Sequence, residues 1–246
     1  MPARILIFTL LIFLGSAYAV PSFEQMKREQ RVALVVANGD YENRPLSQAS
    51  KSGAKVRAFL EASGFKVIYH EDIDRRAFAK ALRTFSGAIR PNGVALFYYF
   101  GHGTSQNRKN YLIPLEHTIY DASHIRQRSI ALDSIIKSMQ KRQARLNIVI
   151  LDTAYSDPFG DDFKSETPGL ASIAPKKGFD FFLSLFPGRT AKQQSFTSHF
   201  IDAFADRGVT LEAGKAALFE RRPEDLKPMI LIDDTQPFFF RMPPAP

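Results

Sequence analysis

His102 stands between two glycines in Tyr98-Tyr99-Phe100-Gly101-His102-Gly103, at the end of an apolar run. The glycines let the backbone turn sharply and leave the imidazole uncovered. An imidazole so placed acts as general base or acid for a neighbouring nucleophile. A second segment, Leu151-Asp152-Thr153-Ala154-Tyr155-Ser156, also closes an apolar run, but its hydroxyls are poor partners for His102. Strand alternation sends Thr153 to the face opposite Ala154, and Ser156 falls within the loop that follows. No thiol is available, because the 246 residues contain no cysteine. That absence excludes disulfides, thiolate metal sites and thiol catalysis.

The remaining candidate ligands do not assemble in sequence. His70, His117, His124 and His199 show no i, i+4 pairing, so neither a metal nor another cofactor is expected. Asp157, Asp161 and Asp162 lack the regular oxygen-ligand spacing of a calcium loop and read as a solvated acidic stretch.

The elements that must position these residues alternate. Arg31 to Ala37 is a continuous apolar run, as expected of a buried parallel strand. Ala54, Val56, Phe59 and Leu60 recur at helical spacing and stop at Ser63-Gly64, a glycine suited to a left-handed C-cap. Strand 65–71, a helix over 74–89 capped by Asp74, and strand 94–100 follow. Then come a short extended piece at 111–114, a helix over 132–140 and a strand at 146–151. Beyond a long loop over 155–178 the pattern predicts a strand at 179–185, helices at 196–205 and 211–219, and a last strand at 237–241. Strands alternating with helices call for a mostly parallel sheet covered on both faces. Ligand sites in such sheets lie beyond the carboxyl ends of the strands, where His102 and Asp152 fall. Phe179, Phe181, Phe182 and Phe186, and the run Phe238 to Phe240, are expected to be buried, the second run requiring cover on both faces of its strand.

At 45% hydrophobic the chain has enough apolar material for one domain. Its formal charge of +8 is dispersed except at Lys141-Arg142-Gln143-Ala144-Arg145 and Arg126-Gln127-Arg128, which read as solvated helix and loop faces. Basic and aromatic residues are not interleaved in a strand pattern, so nucleic acid is not an expected partner. Arg4, the apolar run Ile5 to Leu14 and Ala17-Tyr18-Ala19 form a secretory signal with cleavage expected after Ala19, which places the mature chain outside the cell or in the periplasm. A membrane anchor is the alternative, but the run is about half the ~20 residues needed to span a bilayer. No other segment reads as transmembrane.

In combination, five segments resemble caspase-like and metacaspase-type cysteine peptidases of the bacterial caspase family. They are the opening strand, Asn38-Gly39-Asp40-Tyr41-Glu42-Asn43, the Gly101-His102-Gly103 turn, Asn110-Tyr111-Leu112-Ile113-Pro114, and Leu146 to Asp152. The resemblance implies a three-layer α/β/α sandwich over residues 31–241. A signal peptide at 1–19 and a linker at 20–30 precede it, and a proline-rich tail at 242–246 follows. It also implies that His102 occupies the catalytic histidine position, Gly103 the oxyanion position and Ala154 the position of the nucleophilic cysteine. Lys51-Ser52-Gly53 stands where relatives carry an aspartate that receives a basic substrate side chain, so Ser52 leaves that pocket incomplete, while Asp152 is its other acidic member.

The expected function is that of an exported pseudopeptidase that binds a peptide or protein. Two alternatives stay open: a hydrolase using a hydroxyl or metal, and a structural module of the cell envelope.

Overall fold

A computed structural model describes residues 20–42, 44–115, 122–153, 169–187, 196–221, 227–233, 235 and 237–244. The signal-peptide reading, Asn43, His117, Ala154, Tyr155, Ser156 and the acidic stretch at 157–162 fall outside these residues.

The core is a six-stranded sheet in the order β2-β1-β3-β7-β8-β9. Its strands are β1 (Arg31–Ala37), β2 (Phe65–Glu71), β3 (Val94–Gly101), β7 (Leu146–Thr153), β8 (Phe179–Leu183) and β9 (Met229–Leu231). All pairings are parallel except β8 with β9. β1, β3 and β7 are buried at every residue, because helices cover both faces and no side chain is left for solvent. One face, bearing Ala33, Tyr98, Ile150 and Phe182, packs under α2 (Ala49–Ala62), α6 (Phe196–Phe204) and α7 (Leu211–Arg221). The other, bearing Leu34, Phe97, Val149 and Phe181, packs under α3 (Arg75–Ala88) and α5 (Leu132–Gln140). Asp74 caps α3 by accepting from the Ala77 amide at 2.7 Å. Gly64 ends α2 with φ +80°, a left-handed conformation that glycine adopts without the penalty a Cβ would bring.

Several features differ from the sequence expectation. A second, antiparallel sheet of β4 (Gly103–Gln106), β5 (Lys109–Leu112) and β6 (Ile130–Ala131) leaves the end of β3, and α4 (Ala122–Arg128) precedes β6. Residues 237–241 do not form the last strand of the sheet; that place is taken by β9. Phe238 and Phe240 instead reach the same core from an irregular segment, Phe238 packing edge-on against Phe65 and Phe240 at a tilt against Phe59 and Phe204, while Phe239 makes a single bridge to Thr210. Phe186 is half exposed rather than buried, at 50%.

Within the stretch read as a linker, Ser22 and Gln25 form a reciprocal capping box that starts α1 (Phe23–Arg28). The chain then delivers Glu29 into the interior. Its carboxylate takes Arg31 at 2.8 Å and Arg145 at 2.5 Å, with all three side chains under a tenth exposed. Arg31 also donates to the carbonyls of Ser63, Phe239 and Phe240 and lies 4.7 Å over the Phe238 ring. This cluster ties Glu29 and the segment around Phe239 and Phe240 to the amino ends of β1 and β7. Arg145, read as part of a solvated basic run, is therefore a buried ion-pair member.

Candidate functional site

The register of the central strands brings the two chemistry-bearing segments together: Phe100 pairs with Asp152, and Gly101 with Thr153. Both glycines around His102 are required by space. A Cβ at Gly101 would meet the Tyr99 and Tyr41 hydroxyls at 2.5 and 2.6 Å, and one at Gly103 would meet Thr153 Oγ1 at 2.5 Å. The His102 backbone is held by those two tyrosines. Its amide donates to Tyr41 Oη at 3.1 Å, its carbonyl accepts from Tyr99 Oη at 3.0 Å, and the hydroxyls lie 3.1 Å apart. Tyr41 and Tyr99 also converge on the Ile113 carbonyl, at 2.8 and 2.6 Å. Burial pushes both phenols up from their ordinary values, so they stay neutral donors.

The imidazole is equally constrained. Its Nε2 lies 2.8 Å from the Arg44 carbonyl, and its ring centroid lies 4.5 Å from that of Tyr41. A carbonyl only accepts, so Nε2 carries the hydrogen, and in the neutral ring Nδ1 is the basic nitrogen. Arg44 presents that carbonyl from a left-handed backbone, φ +58°. An oriented imidazole with a defined tautomer is what general-base chemistry requires, yet His102 is wholly buried.

Asp152 points to the α6 face, where its Oδ2 accepts from the Thr197 amide at 3.2 Å and hydroxyl at 2.5 Å. Tyr98 Oη lies 2.6 Å from the same hydroxyl. Asp152 Oδ1 has no hydrogen-bond partner among the described residues. Full burial pushes this carboxyl up to about 7, against the opposing pull of the Thr197 hydrogen bonds. Ser52 is buried in the first turn of α2, its amide bonded to the Gln48 carbonyl. Thr153 turns to the opposite face, beside Gly103 and Leu170.

His102, Gly103 and Asp152 thus meet at adjacent strand ends, and Ala154 follows Thr153 outside the described residues. His70, His124 and His199 are spread over β2, α4 and α6, and among the described residues no three histidine or acidic side chains are grouped to hold a metal ion. No helix among them is long and apolar enough to cross a membrane.

A model of the caspase domain matches residues 30–213. The chain belongs to the caspase family. Its architecture agrees with the Drosophila initiator caspase Dronc, with a TM-score of 0.64 at 13% identity over 92% of this chain and 89% of that one. Protein GSU0716 from Geobacter sulfurreducens aligns with a TM-score of 0.63 at 12% identity, over 87% of this chain and all of that one. The human mucosa-associated lymphoid tissue lymphoma translocation protein 1 is 23% identical over 130 residues, 52% of this chain, and the chain spans only 15% of that protein's length.

In this caspase domain the sequence motifs include Tyr41 and Tyr98 but give them no individual role, and they do not include Arg44 or Thr197. Tyr41 carried a usable signal, because it lies in a segment directly after β1, at the ligand end of the sheet. Arg44 acts through its main chain, for which no side-chain pattern exists. Thr197 lies 45 residues beyond Asp152 and reaches it only through the packing of α6.

Proposed function

We propose that this caspase-family chain is an exported pseudopeptidase that engages a peptide or protein at the strand ends without cleaving it. The observation that carries this reading is the lack of cysteine: the span matching the caspase domain, and the whole chain, contain no thiol to attack a carbonyl. Ala154 stands in the position that the motif assigns to the nucleophile, and a methyl group can neither ionise nor attack. The Tyr41–Tyr99 pair and the Arg44 carbonyl support retention of the His102 scaffold in a chain that holds no thiol.

Two further observations bear on substrate choice. Ser52 supplies no charge for a basic side chain, and the one bonded oxygen of Asp152 is committed to Thr197. The hydroxyl-nucleophile alternative finds no support at Thr153, which is buried on the face opposite Asp152. Export rests on the segment from Arg4 to Ala19.

Purified protein incubated with a mixed peptide library, followed by mass spectrometry of retained and released species, tests the proposal. The expected result is retention of a subset of intact peptides. Cleavage that disappears in His102→Ala, or retention of no peptide, would overturn it.

A further inference from the structure

The two basic runs that the sequence sets apart converge on the face of the sheet covered by α3 and α5. Arg126, from the first run, and Arg142, from the second, share with Arg75 and Arg83 of α3 the wall of a cavity of about 630 Å³ between α3, α4, β6 and α5. Among the described residues, no aspartate or glutamate lines it. Among the described residues no ion pair joins Arg83, Arg126 or Arg142 to a carboxylate. Arg142 is oriented instead by Nε donating to Ser86 Oγ at 3.0 Å, and that serine is itself buried.

A second observation points to an occupant. Ser129 lines the same cavity at 4% exposure, and its hydroxyl has no hydrogen-bond partner among the described residues. A buried hydroxyl without a partner is uncommon and calls for one. The rest of the wall includes Leu82, Ile130 and Ile135, which offer apolar surface and no charge. Guanidinium groups match phosphate oxygens in geometry and charge, and the cavity falls in the ~300–1,000 Å³ range typical of small-molecule sites.

We propose that this cavity is a binding site for a phosphorylated small molecule with an apolar portion. The phosphate groups lie against Arg83, Arg126 and Arg142 and accept from Ser129, and the apolar portion rests on Leu82, Ile130 and Ile135. The proposal uses none of the groups around His102 and is independent of the pseudopeptidase reading.

Calorimetric titration of the purified protein with ATP, inorganic pyrophosphate and a hexaglutamate peptide, in magnesium-free low-salt buffer, tests it. ATP should bind with one-to-one stoichiometry and at least as tightly as pyrophosphate, with hexaglutamate weaker than both. Arg83→Ala and Arg126→Ala should each weaken ATP by about tenfold or more, since each removes a charge-assisted hydrogen bond to phosphate. Both arginines are exposed, so the fold tolerates their loss. Arg57→Ala, on α2 and paired with Glu61, should leave binding unchanged. No ATP binding at millimolar concentration, equal affinity in the Arg83 and Arg126 variants, or tighter binding of hexaglutamate would each overturn the proposal.

Discussion

Replacing Asp152 by asparagine should stabilise the protein at alkaline pH and leave it nearly unchanged at pH 5. Asp152 is wholly buried, and its carboxyl rises from the ordinary 3.8 to about 7. The folded protein therefore holds a proton between these values that the unfolded chain releases, so stability falls as pH rises from about 4 to about 7 and is flat above. At about 1.4 kcal/mol per pH unit the cost of the ionised carboxylate has an upper bound of about 4 kcal/mol. Asparagine keeps an acceptor for the Thr197 amide and hydroxyl but buries an amide of its own, so a gain of about 2 kcal/mol is expected. For a chain of this size that is a rise in Tm of about 4–8 °C. Circular-dichroism melts of wild type and Asp152→Asn at pH 5 and pH 8.5 measure the difference directly. A variant less stable than wild type at pH 8.5 would refute the reasoning, because it would mean that the charge is compensated in the fold.

Further outcomes follow from the packing. Glu29→Gln removes the shared counter-charge of Arg31 and Arg145 and should cost about 3–5 kcal/mol, read as a lower urea midpoint with an unchanged slope. Gly101→Ala drives a methyl group into the hydroxyls of Tyr99 and Tyr41, and the variant should be recovered mostly unfolded, as judged by near-ultraviolet circular dichroism. Ala154→Cys alone should give little cleavage of Arg- or Lys-terminated fluorogenic peptides, because Ser52 provides no charge and Asp152 is engaged by Thr197; robust turnover by this single variant would contradict that account.

The parts of the fold visible in the sequence are those in which local pattern and burial agree. The apolar runs at 32–37, 94–100 and 148–151 read as strands covered on both faces, and the α5 residues Leu132, Ile135 and Met139 repeat at the spacing that buries one stripe. β4 escaped notice because Gly103-Thr104-Ser105-Gln106 has no apolar alternation, and its pairing with β5 is a tertiary event. Met229–Leu231 is too short to signal a strand, whereas Phe238 to Phe240 has the composition of one. Phe238 and Phe240 instead pack against Phe59, Phe65 and Phe204, a role that β propensity does not encode. At the site, the histidine and aspartate segments were legible because strand ends announce themselves. The Arg44 carbonyl and the Thr197 hydroxyl were not, since one lacks a side-chain signature and the other depends on how α6 docks.

The proposed pseudopeptidase function requires that this caspase domain, which holds no thiol, leave peptide bonds intact. Long incubation of wild type, His102→Ala and Ala154→Cys with a fluorogenic library varied at the residue before the scissile bond tests it most directly. Wild type and His102→Ala are predicted to release fluorophore at the same rate as buffer. Release by wild type that His102→Ala abolishes would contradict the account.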